Sequence, residues 1–170
     1  MIEDIKHILN KKHLLIIGKS EVDRRNFIHD TIKLVNLETF RFPSGMNSFD
    51  EYYEFIKKEK LYNPWYKTKS YNANQIIDFH WEWIRENNSL IVIEEFHKME
   101  DPWRIELLRI YLNEIENKKT NEKKIHLIIS QENENGLFEE LSNVINLREK
   151  ERRTKKQIVE QNIEVINISK

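Results

Sequence analysis

The sequence has no cysteine and, among its 170 residues, only three glycines. Without cysteine the chain forms no disulfide, and it offers neither a thiol nucleophile nor a thiolate ligand for a metal. Glycine matters for phosphate binding, because a loop that wraps phosphate needs bare backbone N–H groups. The positions of Gly18, Gly45 and Gly136 therefore limit where such a loop can lie.

The chain also lacks a long apolar run and an excess of charge of either sign. No apolar run approaches the roughly 18 residues that a membrane span requires, so no membrane partner is expected. The start, Met1-Ile2-Glu3-Asp4, is acidic and lacks the positive and apolar regions of a signal peptide. A net charge of −1 exerts no global attraction for nucleic acid. We expect a cytoplasmic protein.

The residues that are present indicate one globular domain. Hydrophobic residues make up 39% of the chain and aromatic residues 11%, a composition that excludes a disordered protein. A chain of this length is also long enough to bury a core. Short apolar runs bounded by turn residues predict five strands, at 13–17, 38–42, 89–95, 125–130 and 163–168.

Helical periodicity fills the intervals between these strands. The pattern from Ser20 to Asp23 predicts a capped helix that runs to about Val35, and Pro102 after Asp101 predicts the start of another. Further helices are expected at 2–10, 49–60, 73–86 and 137–142, and the buried face predicted for 73–86 consists of Ile76, Ile77, His80 and Ile84.

This alternation predicts the fold class and the domain organisation. Strands that alternate with helices predict a three-layer α/β/α domain with a mainly parallel five-stranded sheet. Residues 1–147 form the predicted core. Residues 148–170 form a basic connector and a C-terminal edge strand, which we expect to belong to the same domain.

Two acidic residues, Glu94 and Glu95, end the apolar run of the third predicted strand. Ligands of open α/β sheets bind outside the carboxyl edge, where these two carboxylates are expected. In P-loop ATPases one such acid helps to hold Mg²⁺ and a neighbour orients the attacking water. The alternative is that both are solvated acids at a strand end. The pair points to an ATPase only if a phosphate loop faces it.

The phosphate loop expected after the first strand is not intact. A P-loop follows the pattern G-x-x-x-x-G-K-[ST]. Counting from Gly18 puts Asp23, Arg24 and Arg25 at the glycine, lysine and hydroxyl positions. Lys19 and Ser20 resemble the end of the motif but follow the strand directly, and Ser20 is better explained as a helix cap. Arg24 and Arg25 either face an anion at the helix N-terminus or lie in a solvated first turn.

The stretch 89–147 resembles the AAA+ domain of bacterial enhancer-binding activators of sigma-54. In that family a strand with acidic ends precedes a helix rich in L-L-R, a strand like V-R-I-I-A-A-T-N and a segment like F-R-E-D-L-Y-Y-R-L-N-V. The matching segments here are L-I-V-I-E-E at 90–95, E-L-L-R-I-Y-L at 106–112, I-H-L-I-I-S at 125–130 and L-F-E-E-L-S-N-V-I-N-L at 137–147. The basic stretch R-E-K-E-R-R at 148–153 continues the match.

The resemblance implies a P-loop NTPase-like fold of AAA+ type, with ATP and Mg²⁺ as cofactors. It places Glu94 at the metal-side position, Glu95 at the water-activating position and Ser130 at the sensor position. Gly18, Lys19, Ser20, Arg24 and Arg25 would supply the phosphate contacts. It also implies transcription regulation and an AAA+ homo- or hetero-oligomer as partner.

This sequence departs from the family at three points. The arginine of the Y-Y-R-L-N-V stretch falls on Val144, and no G-A-F-T-G-A loop exists because no glycine lies between Gly45 and Gly136. The helical lid that follows the core does not fit into the remaining residues.

Three functional hypotheses follow. The first is a degenerate AAA+ domain that does not hydrolyse ATP, binds nucleotide weakly and acts as a regulatory or protein-interaction module. The second is an active ATPase with an atypical phosphate site, using Lys19 or Arg24 as phosphate ligand and Glu95 as base. The third is a DNA-associated adaptor that uses the aromatic loop at 61–66 and the basic stretch at 148–156.

Overall fold

The computed structural model describes residues 2–42, 46–63, 70–87, 89–100, 103–104, 107, 126–133, 136, 157 and 160–169. The helices in these ranges are α1 (Ile2–Lys11), α2 (Glu21–Val35), α3 (Phe49–Glu59) and α4 (Ala73–Glu86), with a 3-10 helix at Phe96–Lys98. The strands are β1 (His13–Ile17), β2 (Thr39–Arg41), β3 (Leu90–Ile93), β4 (His126–Gln131) and β5 (Ile163–Asn167).

The five strands form one parallel sheet in the order β2-β3-β4-β1-β5. The central strand β4 pairs on one side with β1, where Leu15 lies opposite Ile129, and on the other with β3, where Val92 lies opposite Ile128. Because all five strands run the same way, the residues that follow them meet at one edge of the sheet.

Two apolar clusters cover the two faces of this sheet. In β1, Leu14 and Ile16 belong to one cluster, while Leu15 and Ile17 belong to the other, as the alternation of side chains along a strand requires. The first cluster packs under α1 and α2, and the second under α3 and α4. The domain therefore has three layers, and the predicted mainly parallel, five-stranded α/β/α architecture is confirmed.

Helix α2 contributes a buried arginine to the carboxyl edge of the sheet. Ser20 caps its N-terminus by accepting a hydrogen bond from the backbone N–H of Asp23, as predicted, and Asn36 ends it with a positive φ of 50°. Its buried residues are Arg24, Ile28, Thr31 and Val35. Their spacing of four, three and four residues marks a single helical face, and an arginine lies at its N-terminal end.

The predicted strands and helices agree with the observed ones to within a residue or two. In α4 the predicted residues Ile76, Ile77, His80 and Ile84 are all buried, and Trp81 is buried as well. The helices predicted to begin at Pro102 and at 137–142 lie mostly outside the described residues. So does the basic connector at 148–156.

Within the part of the chain that the structure describes, no helix is both long and apolar enough to span a membrane.

An aromatic group fills the face of the sheet under α3 and α4. The rings of Phe40, Tyr52 and His80 lie within 4.9 to 6.5 Å of one another by centroid, and Trp103 lies 5.5 Å from Tyr52. The imidazole of His80 is fully buried, and its Nδ1 lies 2.6 Å from the carbonyl oxygen of Leu61. Burial in this apolar setting lowers the pKa of His80 to about 4.

We predict that His80 makes the domain less stable in mild acid. Because its pKa is lower in the folded chain than the 6.5 of a free side chain, the folded state binds fewer protons between these values. The free energy of unfolding should therefore fall as the pH drops from about 6.5 to about 4, by up to ~3 kcal/mol. Urea denaturation of the wild type and His80→Phe at both pH values measures this contribution. Equal pH dependence in the two proteins would contradict the assignment to His80.

Candidate functional site

Residues at the ends of four strands meet at the carboxyl edge of the sheet, and most of them are polar or charged. Gly18 follows β1, Arg41 ends β2, Glu94 and Glu95 follow β3, and Ser130 lies near the end of β4. This is the edge at which ligands of open α/β sheets bind.

A buried ion pair connects α2 to the end of β3. The guanidinium of Arg24 donates from Nε to Oε1 of Glu95 at 2.9 Å and from Nη2 to Oε2 at 2.6 Å. Its Nη1 donates to the carbonyl oxygen of Gly18. Arg24 is only 2% exposed. The two parallel hydrogen bonds are the strong, bidentate form of an arginine–carboxylate contact, and the Gly18 contact satisfies the third nitrogen.

The backbone of Glu95 is held in an unusual conformation that aims its side chain at Arg24. Its φ of 54° and ψ of 44° lie in the left-handed region, which non-glycine residues seldom adopt. Its N–H donates to Oγ of Ser130 at 3.2 Å. Such a conformation costs on the order of 1 kcal/mol and persists when neighbouring contacts enforce it.

A histidine also lies against Glu95. Nε2 of His97 lies 3.7 Å from Oε2 of Glu95, and Nδ1 of His97 accepts a hydrogen bond from the N–H of Glu132 at 3.3 Å. Partial burial lowers the pKa of His97, and the nearby Glu95 carboxylate partly offsets that effect. The lowered pKa disfavours the charged form of His97, so the cations nearest to Glu95 are Arg24 and Lys98, whose Nζ lies 3.6 Å from Oε2.

The turn between β1 and α2 is short and covered by the C-terminal end of the chain. Only residues 18–20 connect Ile17 to Glu21. The N–H of Lys19 donates to Oγ of Ser169 at 3.0 Å, and the N–H of Ile168 donates to the carbonyl of Ile17 at 2.9 Å. A Cβ atom on Gly18 would lie 2.6 Å from Cγ1 of Ile168, so glycine is required here by this close approach.

A cleft of about 580 Å³ lies beside the ion pair, between the ends of β2 and β3. Inside it Nη2 of Arg41 donates to Oε2 of Glu94 at 2.7 Å. Glu21 accepts hydrogen bonds from Arg25 at 2.9 Å and from Lys98 at 2.6 Å. The Lys98 contact lowers the pKa of Glu21 and raises the pKa of Lys98, so both remain charged at pH 7.

The structure separates the residues that the sequence singled out into three groups. Gly18, Arg24, Glu95 and Ser130 lie together at the ion pair. Lys19 and Ser20 line a second hollow of about 360 Å³ with Ser169. Glu94 and Arg25 line the cleft. Their assigned roles in ATP binding and hydrolysis stay predictions.

Sequence reasoning missed several residues of this edge. His97 and Lys98 follow Glu95 closely along the chain, and this spacing alone places them near the acidic pair. Arg41 lies opposite Val92 in the register of β2 and β3, so Glu94 is two residues beyond its partner. Parallel pairing of two adjacent predicted strands is the signal that could have found it.

Among the described residues, no three His, Asp or Glu side chains form a group that could hold a metal ion.

The comparisons with known proteins rest on structure alone. No protein-family profile matches the sequence, and no curated protein matches it. Among solved structures, the chain is similar to Cdc6p from Pyrobaculum aerophilum, with a TM-score of 0.60 and 12% identity over 96% of this chain and 43% of that one. It is also similar to the Drosophila ORC bound to AT-rich DNA and Cdc6, with a TM-score of 0.56 and 14% identity over 99% and 52%.

These similarities establish the fold. The chain has a three-layer α/β/α, P-loop NTPase-like fold. The chain spans about half the length of these neighbours.

We predict that Arg24, which forms the pair with Glu95, stabilises the domain much more than Arg25, its neighbour in sequence. Arg24→Ala leaves Glu95 without its counter-charge at a mostly buried site and should cost about 3 kcal/mol of unfolding free energy. Arg25→Ala is the matched control, because Arg25 is 58% exposed and solvent screens its ion pair with Glu21, so the loss of stability should be far smaller. Chemical denaturation measures both values, and equal losses would contradict the burial argument.

A second prediction concerns the covered turn. Gly18→Ala should destabilise the domain by about 1–3 kcal/mol, because the added methyl overlaps Ile168. Gly18→Ala should cost less stability in the Ile168→Ala background than in the wild type, because the side chain that the methyl overlaps has been shortened. Thermal unfolding of the three variants gives the comparison, and strict additivity would show that this contact is not the cause.

Proposed function

We propose that this chain is a degenerate AAA+-like domain that does not hydrolyse ATP and acts through what it binds, as a regulatory or protein-interaction module. The observation that carries the proposal is the state of Glu95. Both of its carboxylate oxygens are taken by Arg24. The charge of this carboxylate is balanced by Arg24 and one acceptor site on each oxygen is occupied, which disfavours Glu95 as the group that orients a water for attack on a phosphate.

The short turn supports the same conclusion. A P-loop wraps phosphate with several bare N–H groups and supplies a lysine and a hydroxyl at fixed positions. Here Asp23, Arg24 and Arg25 occupy those positions inside α2, and Ser169 already accepts a hydrogen bond from Lys19. The residues present therefore do not fit a triphosphate with Mg²⁺ in the manner of a P-loop.

The competing hypotheses make different demands on these residues. An active ATPase, whether Lys19 or Arg24 holds the phosphate, requires Arg24 to release Glu95 so that Glu95 can act as base, and this leaves a mostly buried carboxylate without its counter-charge. The DNA-associated adaptor depends largely on residues 64–66 and 148–156, which lie outside the described residues. One structural neighbour is bound to AT-rich DNA. DNA binding, a sigma-54-type activity, transcription regulation and an AAA+ oligomer stay predictions for this chain.

The test is hydrolysis of ATP and its dependence on Mg²⁺. We expect no phosphate release above background from ATP, and no strengthening of ATP binding when Mg²⁺ replaces EDTA, as measured by calorimetry. The variants Glu95→Gln and Lys19→Gln should leave this result unchanged, with Glu94→Gln as the matched acidic control. Phosphate release that Glu95→Gln abolishes would overturn the proposal and favour the active ATPase.

A further inference from the structure

The cleft beside the Arg24–Glu95 pair has a net positive charge once Arg24 behind it is counted. Its lining includes three cations, Arg25, Arg41 and Lys98, and three carboxylates, Glu21, Glu94 and Glu95. Since Glu95 is neutralised from behind by Arg24, which does not line the cleft, two carboxylates remain to balance three cations. The internal pair thus changes the charge of this edge from balanced to positive.

Two of the cations are also the most accessible of these charged groups. Arg25 and Lys98 are 58% and 56% exposed, whereas the carboxylates of Glu21 and Glu94 are 39% and 20% exposed. Arg41, 38% exposed, uses Nη2 on Glu94, and among the described residues its other two nitrogens have no hydrogen-bond partner. A guanidinium that keeps donors free at the mouth of a cleft is suited to a planar or tetrahedral anionic group.

Apart from Asn47, the remaining lining is apolar. Phe42 and Met46 are buried and form part of the wall with Met99. A volume of about 580 Å³ lies within the range of small-molecule sites, which combine an apolar lining with a few polar groups that fix orientation.

We propose that this cleft binds a small organic anion, with its phosphate, sulfonate or carboxylate group on Arg41 and Arg25 and its apolar part against Phe42 and Met99. This inference rests on the proposed function, because the Arg24–Glu95 pair that blocks hydrolysis also makes the cleft positive. It places weak nucleotide binding beside β2 and β3 and away from the β1–α2 turn, where Lys19 lies.

The experiment titrates the purified chain with three probes: AMP, anilinonaphthalene sulfonate and inorganic phosphate. AMP and the dye should bind more tightly than phosphate, because only they offer an apolar part. Binding should weaken with rising salt. Arg41→Gln and Arg25→Gln should each weaken AMP and dye binding by about tenfold, the loss expected for one charge-assisted hydrogen bond.

Lys19→Gln is the control, since Lys19 lines the other hollow, and its affinities should stay within about twofold of the wild type. Arg25→Gln keeps the test informative if Arg41→Gln does not fold, because Arg25 is mostly exposed. The cleft site is overturned if no probe binds at millimolar concentration, if both arginine variants bind the probes as tightly as the wild type, or if Lys19→Gln loses affinity. A chain that hydrolyses no ATP and binds no probe overturns this inference alone, whereas hydrolysis sensitive to Glu95→Gln overturns the proposed function.

Discussion

The arrangement of the sheet edge depends on one contact, the bidentate pair between Arg24 and Glu95. This contact joins the first turn of α2 to the end of β3 across 71 residues of sequence. The third nitrogen of Arg24 donates to the carbonyl oxygen of Gly18. The buried guanidinium and the mostly buried carboxylate are stable there because each balances the charge of the other. The left-handed backbone of Glu95 and its hydrogen bond to Ser130 fix the geometry from the other side.

Two consequences follow from this contact. At the turn, Arg24 holds α2 close behind β1, and the N–H of Lys19 is taken by Ser169 instead of being presented to a ligand. In the cleft, Arg24 balances the charge of Glu95, and the three cations of the lining then outnumber the two other carboxylates. In a P-loop ATPase this edge of the sheet would hold Mg²⁺ and phosphate. Here the β1–α2 turn is covered by Ile168 and Ser169, and the cleft beside β2 and β3 carries a net positive charge.

The sequence predicted the fold better than the site, for physical reasons. Buried parallel strands are continuous apolar runs, so His13–Ile17 and Leu90–Ile93 could be located, and Ser20 is a strong helix cap. Neither propensity nor motif spacing says which of two adjacent arginines is buried. The helical face shared with Ile28 is a signal for Arg24, but its partner Glu95 is distant in sequence and could be found only from the paired sheet.

The central claim is that Arg24 keeps its bond to Glu95 in the presence of nucleotide. The most direct measurement is the NMR resonance of the Arg24 side-chain Nε–H, assigned by its loss in Arg24→Lys, with and without millimolar Mg·ATP. A hydrogen-bonded and buried Nε–H should give a resonance protected from exchange, and it should stay protected, with at most a small change in chemical shift, when Mg·ATP is added. A large shift or the disappearance of that resonance on addition of Mg·ATP would show that Arg24 releases Glu95 for nucleotide, contrary to this account.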